Sequence, residues 1–334
     1  MSLPTILLSF TPASRALYYG DKALAGLNAL GELRLHEGDQ ALSGDALTAA
    51  AAGCQVIVSD RQTPGPAGLF AASPQLAVFL RCAMDIRNVD VAAASAAGVL
   101  VTRASAGFGA SVAEWVLGVM IDLARGISAS VQAYRRGEAP VMAMGRELRG
   151  SRLGVIGYGH IGSRLCDLAL ALGMRVAVND PHALPTNAAI DWLPLQPLLA
   201  EADFVVCLAP ALPETENLMD AGRFAQMKAG ACFINASRGN LVDETALLQA
   251  LDSGHLSGCA LDVGRAPDQM PSPALAAHPR VIATPHIGGL TPAAAEHQAL
   301  ETVRQLTTLL RGDMPAGAVN AQHAHRLALL RRST

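Results

Sequence analysis

Charge is scarce in this chain. Only 16% of its 334 residues are Asp, Glu, Lys or Arg, and the net charge is −3 with a pI near 6.3. No basic face is thereby available for nucleic acid or an anionic membrane surface, so the expected partner is a small molecule, with any positive charge it needs supplied locally. C-x-x-C pairs are missing as well. Cys54, Cys82, Cys166, Cys207, Cys232 and Cys259 are scattered through mostly apolar stretches and read as buried, reduced thiols. Long hydrophobic runs are absent: Thr5 to Phe10 is too short for a signal peptide or membrane span, and no basic segment precedes it. A cytoplasmic protein is expected. The one pair resembling metal ligands, His323 and His325, reads as a solvated tail, so no metal is assigned.

What is present is 51% hydrophobic sequence, enough in 334 residues for two cores. Short apolar runs at 5–8, 56–58, 76–80 and 99–102 alternate with Ala/Leu-rich helical stretches, and the alternation resumes at 204–208, 231–235, 258–263 and 281–283. Such alternation predicts an α/β fold with parallel sheets. Between the two series, residues 153–156 form an apolar strand that runs into Gly157-Tyr158-Gly159-His160-Ile161-Gly162 and then a helical pattern carrying Leu165, Leu168, Ala169 and Leu172. In this G-x-G-x-x-G, Gly157 makes the tight turn, Gly159 admits a diphosphate and Gly162 lets helix and strand pack, while the helix N-terminus offers unpaired N–H groups. A second strand, 175–179, ends at Asp180, whose carboxylate suits the ribose hydroxyls and repels a 2′-phosphate, which favours NAD over NADP.

Two long helical patterns bracket this half, 111–135 and 292–310, the second opening on Thr291-Pro292 as cap and first turn. They predict a nucleotide domain at 105–289 inserted into a first domain made of 1–104 and 290–334. The cleft between them is expected at the carboxyl ends of the strands, with closure about 105–111 and 288–291. Two chemically suited residues fall just after strands: Arg238 in Asn235-Ala236-Ser237-Arg238-Gly239 and His286 in Thr284-Pro285-His286-Ile287-Gly288-Gly289. A guanidinium there clamps a carboxylate through parallel N–H bonds and polarises an adjacent carbonyl; an imidazole exchanges the proton that accompanies a hydride. Each alone also fits a blander use, a surface ion pair for Arg238 and a structural imidazole for His286. Asp262, closing the strand 259–261, suits either the nicotinamide amide or a loop cap.

In order, these segments resemble the D-isomer-specific 2-hydroxyacid dehydrogenase family, and the likeness extends to 81–90, 111–114 and 210–215. The resemblance implies a Rossmann-type, doubly wound NAD-binding domain inserted into a discontinuous flavodoxin-like substrate domain, usually as a homodimer. It implies that Arg238 binds carboxylate and carbonyl, that His286 is the acid/base, and that a small 2-oxo or 2-hydroxy acid is the substrate. It also assigns cofactor contacts to residues 157–162, Asp180, Ala209, Pro210, Ala236, Ser237, Asp262 and Gly288, and substrate contacts to Cys82, Ala83 and Met84. No extension beyond about Ala321 that could form the regulatory domain of some phosphoglycerate dehydrogenases is expected, and the tail at 326–332 reads as either a short amphipathic helix or a frayed end.

Three departures stand out. The family's glutamate that pairs with the histidine falls, five residues after Asp262, on Pro267; Asp268 with a loop shifted by one, Gln269, or no partner at all are the alternatives, and Asp268 is preferred as the third catalytic residue. The substrate loop is Cys82-Ala83-Met84-Asp85 instead of glycine-rich; Ala83 keeps an N–H to offer, and Asp85 must point away, be neutralised by Arg87, or signal an unusual substrate. Leu208 replaces a common histidine, with Pro210 retained. Two rival functions follow: an NAD(H)-binding sensor on the same fold, suggested by the missing glutamate, and a formate- or phosphite-type dehydrogenase, suggested by Asp85 and Arg265.

Overall fold

In the computed structural model, which describes residues 3–330 apart from the Asp268 side chain, every sheet ladder is parallel. The chain divides into two compact units, Met1–Gly107 with Thr291–Thr334, and Phe108–Leu290.

The first unit carries β1 (Thr5–Leu8), β2 (Glu32–Leu35), β3 (Val56–Ser59), β4 (Val78–Arg81) and β5 (Leu100–Arg103) in the order β2-β1-β3-β4-β5, the flavodoxin-like arrangement. Strands β1, β3 and β4 are almost wholly buried, which is why each reads as a continuous apolar run. The edge strand β2 is mostly exposed and alternates Glu32-Leu33-Arg34-Leu35, a pattern with no apolar run for sequence reading to find. Against this sheet lies the helix Pro292–Arg311, capped by the Thr291 hydroxyl accepting from Ala294 N–H; its Thr302 meets the buried Tyr19 hydroxyl at 2.7 Å. The tail forms a 3-10 turn over His325–Leu330, with Leu327, Leu329 and Leu330 packed on the same core; Arg331 and Arg332 lie outside the described residues.

The second unit holds β6 (Arg152–Ile156), β7 (Arg175–Asn179), β8 (Ile190–Trp192), β9 (Phe204–Cys207), β10 (Cys232–Asn235), β11 (Gly258–Leu261) and β12 (Val281–Ala283), ordered β12-β11-β10-β9-β6-β7-β8. That is the doubly wound nucleotide-binding order with one further strand at the β12 edge. The helical pattern at 111–135 is corrected to two helices, Gly109–Arg125 and Ile127–Arg135, meeting at 68°. Gly126 adopts φ +64°, donates its N–H to the Asp122 carbonyl at 2.7 Å, and so ends the first helix as a left-handed cap. The Asp122 carboxylate then receives Ser128 N–H at 2.8 Å and starts the second. Among the described residues no single helix is long and apolar enough to cross a membrane.

Candidate active site

The strand ends of the second unit fall into one rank. Register pairs Asn179 with Ile156, Ile156 with Cys207, Cys207 with Asn235, Asn235 with Leu261, and Leu261 with Ala283. Everything that follows those residues leaves the sheet at the same edge, at successive strand spacings of about 4.8 Å. Asp180, the glycine turn, Ala209-Pro210, Ala236-Ser237-Arg238, Asp262 and His286 therefore stand side by side in that order. Arg238 and His286 emerge two strands, roughly 10 Å, apart with Asp262 between them.

At the glycine turn each residue is fitted to a dinucleotide. Gly157 has φ +101°, and a Cβ there would lie 2.7 Å from the Leu208 carbonyl carbon. A Cβ on Gly162 would collide with the Gly157 carbonyl oxygen, whereas Gly159 faces open space, the room a diphosphate needs beside the backbone. No side chain caps the helix His160–Ala171, so its first N–H groups are left for an anion. Tyr158 and Ile161 pack partly buried on the core of the unit, and His160 is exposed at the helix mouth. Asp180 accepts from Tyr158 N–H at 2.7 Å through one oxygen and from His182 and Ala183 N–H at 2.8 and 3.0 Å through the other. Burial alone would raise its pKa, but these three backbone bonds outweigh it and hold the carboxyl below the usual carboxylate range. Asp180 thus stays ionised and fastens the turn to the end of β7. The residues present fit NAD.

Further along the rank, the Ser237 hydroxyl donates to the Ala209 carbonyl and joins the loops after β9 and β10. Asn235, a residue the sequence reading passed over, brackets Arg238: its amide oxygen accepts from Ser237 N–H at 3.0 Å and its amide nitrogen donates to the Arg238 carbonyl at 2.9 Å. An asparagine closing a strand ahead of a turn is the legible signal for such a side-chain brace. Arg238 is half-buried and donates through Nη1 to the Ser237 carbonyl at 2.7 Å. Gly239 follows with its backbone directly against that of Gly264, where any Cβ would strike the Gly264 carbonyl carbon.

Asp262 is 3% exposed and grips the loop that carries His286. Its oxygens accept from the Thr284 hydroxyl at 2.6 Å, Ile287 N–H at 2.8 Å and Gly288 N–H at 2.7 Å. Of the two uses open to it from sequence, loop capping is therefore occupied. The grip holds half-buried His286 at φ +57°, a left-handed conformation that costs a non-glycine residue energy and persists only where surroundings impose it. Asp268 sits in the 3-10 turn Pro267–Gln269, but its side chain lies outside the described residues. Gln269 has φ +61°, and its amide oxygen is buried without a hydrogen-bond partner among the described residues.

In the first unit, Cys82 and Ala83 are buried just past β4 and Met84 is 37% exposed. Asp85 is engaged by Arg87, whose Nη2 lies 2.6 Å from Oδ2 and whose Nε lies 3.0 Å from Oδ1. Arg265 is likewise engaged, with protein acceptors in the second unit. Neither observation that suggested an unusual oxyanion substrate leaves an uncompensated charge for one. All six cysteines are free and buried. Burial pushes Cys166 and Cys207 up to about 12, far from the thiolate form.

Residues 117–288 match the NAD binding domain of the D-isomer specific 2-hydroxyacid dehydrogenases. A Haemophilus influenzae protein named D-3-phosphoglycerate dehydrogenase is 39% identical over 286 residues, 84% of this chain and 70% of that protein. Its Rattus norvegicus namesake is 35% identical over 85% of this chain, which spans only 54% of that longer relative. Among crystal structures, one of a Thermus thermophilus protein superposes with a TM-score of 0.83 at 31% identity, covering 94% of this chain and 99% of its own.

Proposed function

This chain belongs to the D-isomer-specific 2-hydroxyacid dehydrogenase family, and from that membership we propose that it moves a hydride reversibly between NAD and C2 of a small D-2-hydroxy acid or its 2-oxo partner. The observation that carries the reading is the single rank of strand ends, which sets the glycine turn, Arg238, Asp262 and His286 along one edge of one sheet.

When bound, NAD supplies the hydride acceptor at C4 of its nicotinamide, and NADH the donor. The rest falls to this chain. The uncapped helix at 160 and the open backbone at Gly159 would hold the diphosphate, and the ionised Asp180 would accept from the ribose hydroxyls. Arg238 offers two parallel donors to the substrate carboxylate and draws electron density from the neighbouring carbonyl oxygen, so that C2 is the more electrophilic. His286, protonated before reduction, gives its proton to the oxygen that becomes the hydroxyl, and takes it back in oxidation. Asp262 keeps the loop of that histidine in place, Asp268 stands as the carboxylate that raises its pKa, and Cys82, Ala83 and Met84 are the proposed substrate contacts of the first unit.

An NADH-consumption panel tests this reading: glyoxylate, hydroxypyruvate, pyruvate, phenylpyruvate and 3-phosphohydroxypyruvate, with NAD reduction by formate and phosphite alongside. Turnover of at least one 2-oxo acid is expected. Tight NADH binding with silence across the panel would replace the enzyme by a cofactor sensor.

A homodimer is part of the same proposal. Ile127, Val131 and Tyr134 recur on one face of the helix 127–135, and Val141, Met142 and Met144 after it are 88, 99 and 100% exposed. A second copy of the chain covering this strip would sediment at twice 34.5 kDa, and replacing Met142 and Met144 together by Glu should return the single-chain mass. The cytoplasm, where six buried thiols stay reduced, is the proposed site of action.

A further inference from the structure

Arg265 has no part in the steps above, yet five hydrogen bonds tie it to the protein. Its Nε donates to the Val242 carbonyl at 3.1 Å, and its Nη2 faces the Asn240 carbonyl at 2.9 Å, the Asn217 amide oxygen at 2.6 Å and Glu216 Oε1 at 2.9 Å. Its own N–H is received by Glu244 Oε1 at 3.0 Å. Three loops converge on this one guanidinium: 216–219 after β9, 238–244 after β10, and 262–270 after β11.

The middle loop is the one that carries Arg238; Asn235 braces its start at the Arg238 carbonyl, Asp243 N–H meets the Met219 carbonyl at 3.0 Å near its end, and the stretch between depends on its neighbours. Within it, the Leu241 N–H to Arg238 carbonyl contact is a long 3.4 Å and the Val242 N–H reaches the Gly239 carbonyl at 3.1 Å. Outside it, Asn217 N–H meets the Asn240 carbonyl at 2.8 Å, Met219 N–H the Leu241 carbonyl at 2.8 Å, and Asn240 Nδ2 reaches Glu216 Oε2 at 2.9 Å. Arg265 lies across these contacts, taking the carbonyls of 240 and 242 on either side of Leu241. Only a planar group with several fixed donors spans two carbonyls, an amide and a carboxylate together; a lysine provides one point of charge. The Glu216 pair is too exposed, at 45% for the carboxylate, to contribute much by charge alone, so the weight falls on the backbone carbonyls.

We propose that Arg265 is a positioning residue for Arg238: it sets the loop after β10 so that the Arg238 guanidinium meets the substrate carboxylate, and it touches neither substrate nor cofactor. The kinetic part rests on the dehydrogenase reading; the structural part does not. A displacement of about 1 Å at a clamp costs up to about 100-fold in rate.

Two measurements decide it. Hydrogen–deuterium exchange on the full chain should show faster exchange of 238–243 in Arg265→Ala than in the unaltered protein, with 157–163 unchanged; equal protection of 238–243 overturns the proposal whatever the enzyme does. For whichever 2-oxo acid the chain reduces best, kcat/KM for the acid should fall about 10- to 100-fold in Arg265→Ala and by several-fold more than for its methyl ester, which keeps the carbonyl but not the carboxylate charge, while the Kd of NADH stays within about 2-fold. Arg265→Lys should fall between. An equal fall for acid and ester marks a general packing defect and overturns the proposal. If the unaltered chain reduces no acid, the dehydrogenase reading has failed by itself, and exchange alone rules on Arg265.

Discussion

Replacement of Arg238 by Ala is expected to reduce kcat/KM for the 2-oxo acid by about 10³-fold, split between a KM about 10-fold higher and a kcat about 100-fold lower. The split follows from the two things one guanidinium is asked to do. Its grip on the carboxylate is made with bound substrate and transition state alike, and its loss shows in KM. Its pull on the carbonyl oxygen strengthens as negative charge gathers there, and its loss shows in kcat. Arg238→Lys keeps the charge and loses the fork, so it should recover no more than about a tenth of the activity. The position is suited to such a test because Asn235 braces the backbone on both sides of Ser237, and that brace does not involve the Arg238 side chain. Steady-state rates for both variants, with NADH affinity as the control, check it. Unchanged turnover in Arg238→Ala would remove the carboxylate clamp from the mechanism.

His286→Ala should act on kcat nearly alone, lowering it by about 10² to 10⁴-fold, the range associated with a positioned proton donor. The pH profile carries the sharper signature. Reduction needs the imidazolium and oxidation the neutral ring, so the unaltered enzyme should lose reductive rate as pH rises through the histidine pKa and lose oxidative rate as pH falls through it. Both limbs should vanish in His286→Ala. If Asp268 is the partner of the ring, Asp268→Asn should move both limbs to lower pH, because a carboxylate favours the charged imidazole. A retained limb would assign it to another group. The left-handed backbone at 286 adds that alanine, which tolerates φ +57° no better than histidine, tests the ring and not the strain.

The nucleotide half was legible because its inner strands are buried on both faces and its turn needs glycine for steric reasons that leave a fixed spacing. The strand read at 56–58 and the cap at Thr291 are likewise local affairs, written in adjacent residues. The edge strands β2 and β8 were not visible, since one face and one side of each meet water and demand no apolar run. The joint at Gly126 was hidden inside a helical pattern because apolar spacing continues through it, and only the glycine marks it. At the site, types and positions could be read, but not attachments. That Asp262 would spend both oxygens on residues 284, 287 and 288, or that Arg265 would face backbone carbonyls instead of a ligand, depends on loops meeting from three different strands.

Gly239 and Gly264 touch backbone to backbone, and a Cβ on Gly264 would also lie 2.5 Å from Pro271 Cα. For anyone wishing to retune this protein by directed evolution, those two codons are closed: neither admits even a methyl group, so variety introduced there returns misfolded clones instead of altered selectivity. Libraries are better spent on Met84, which stands more than a third open to solvent.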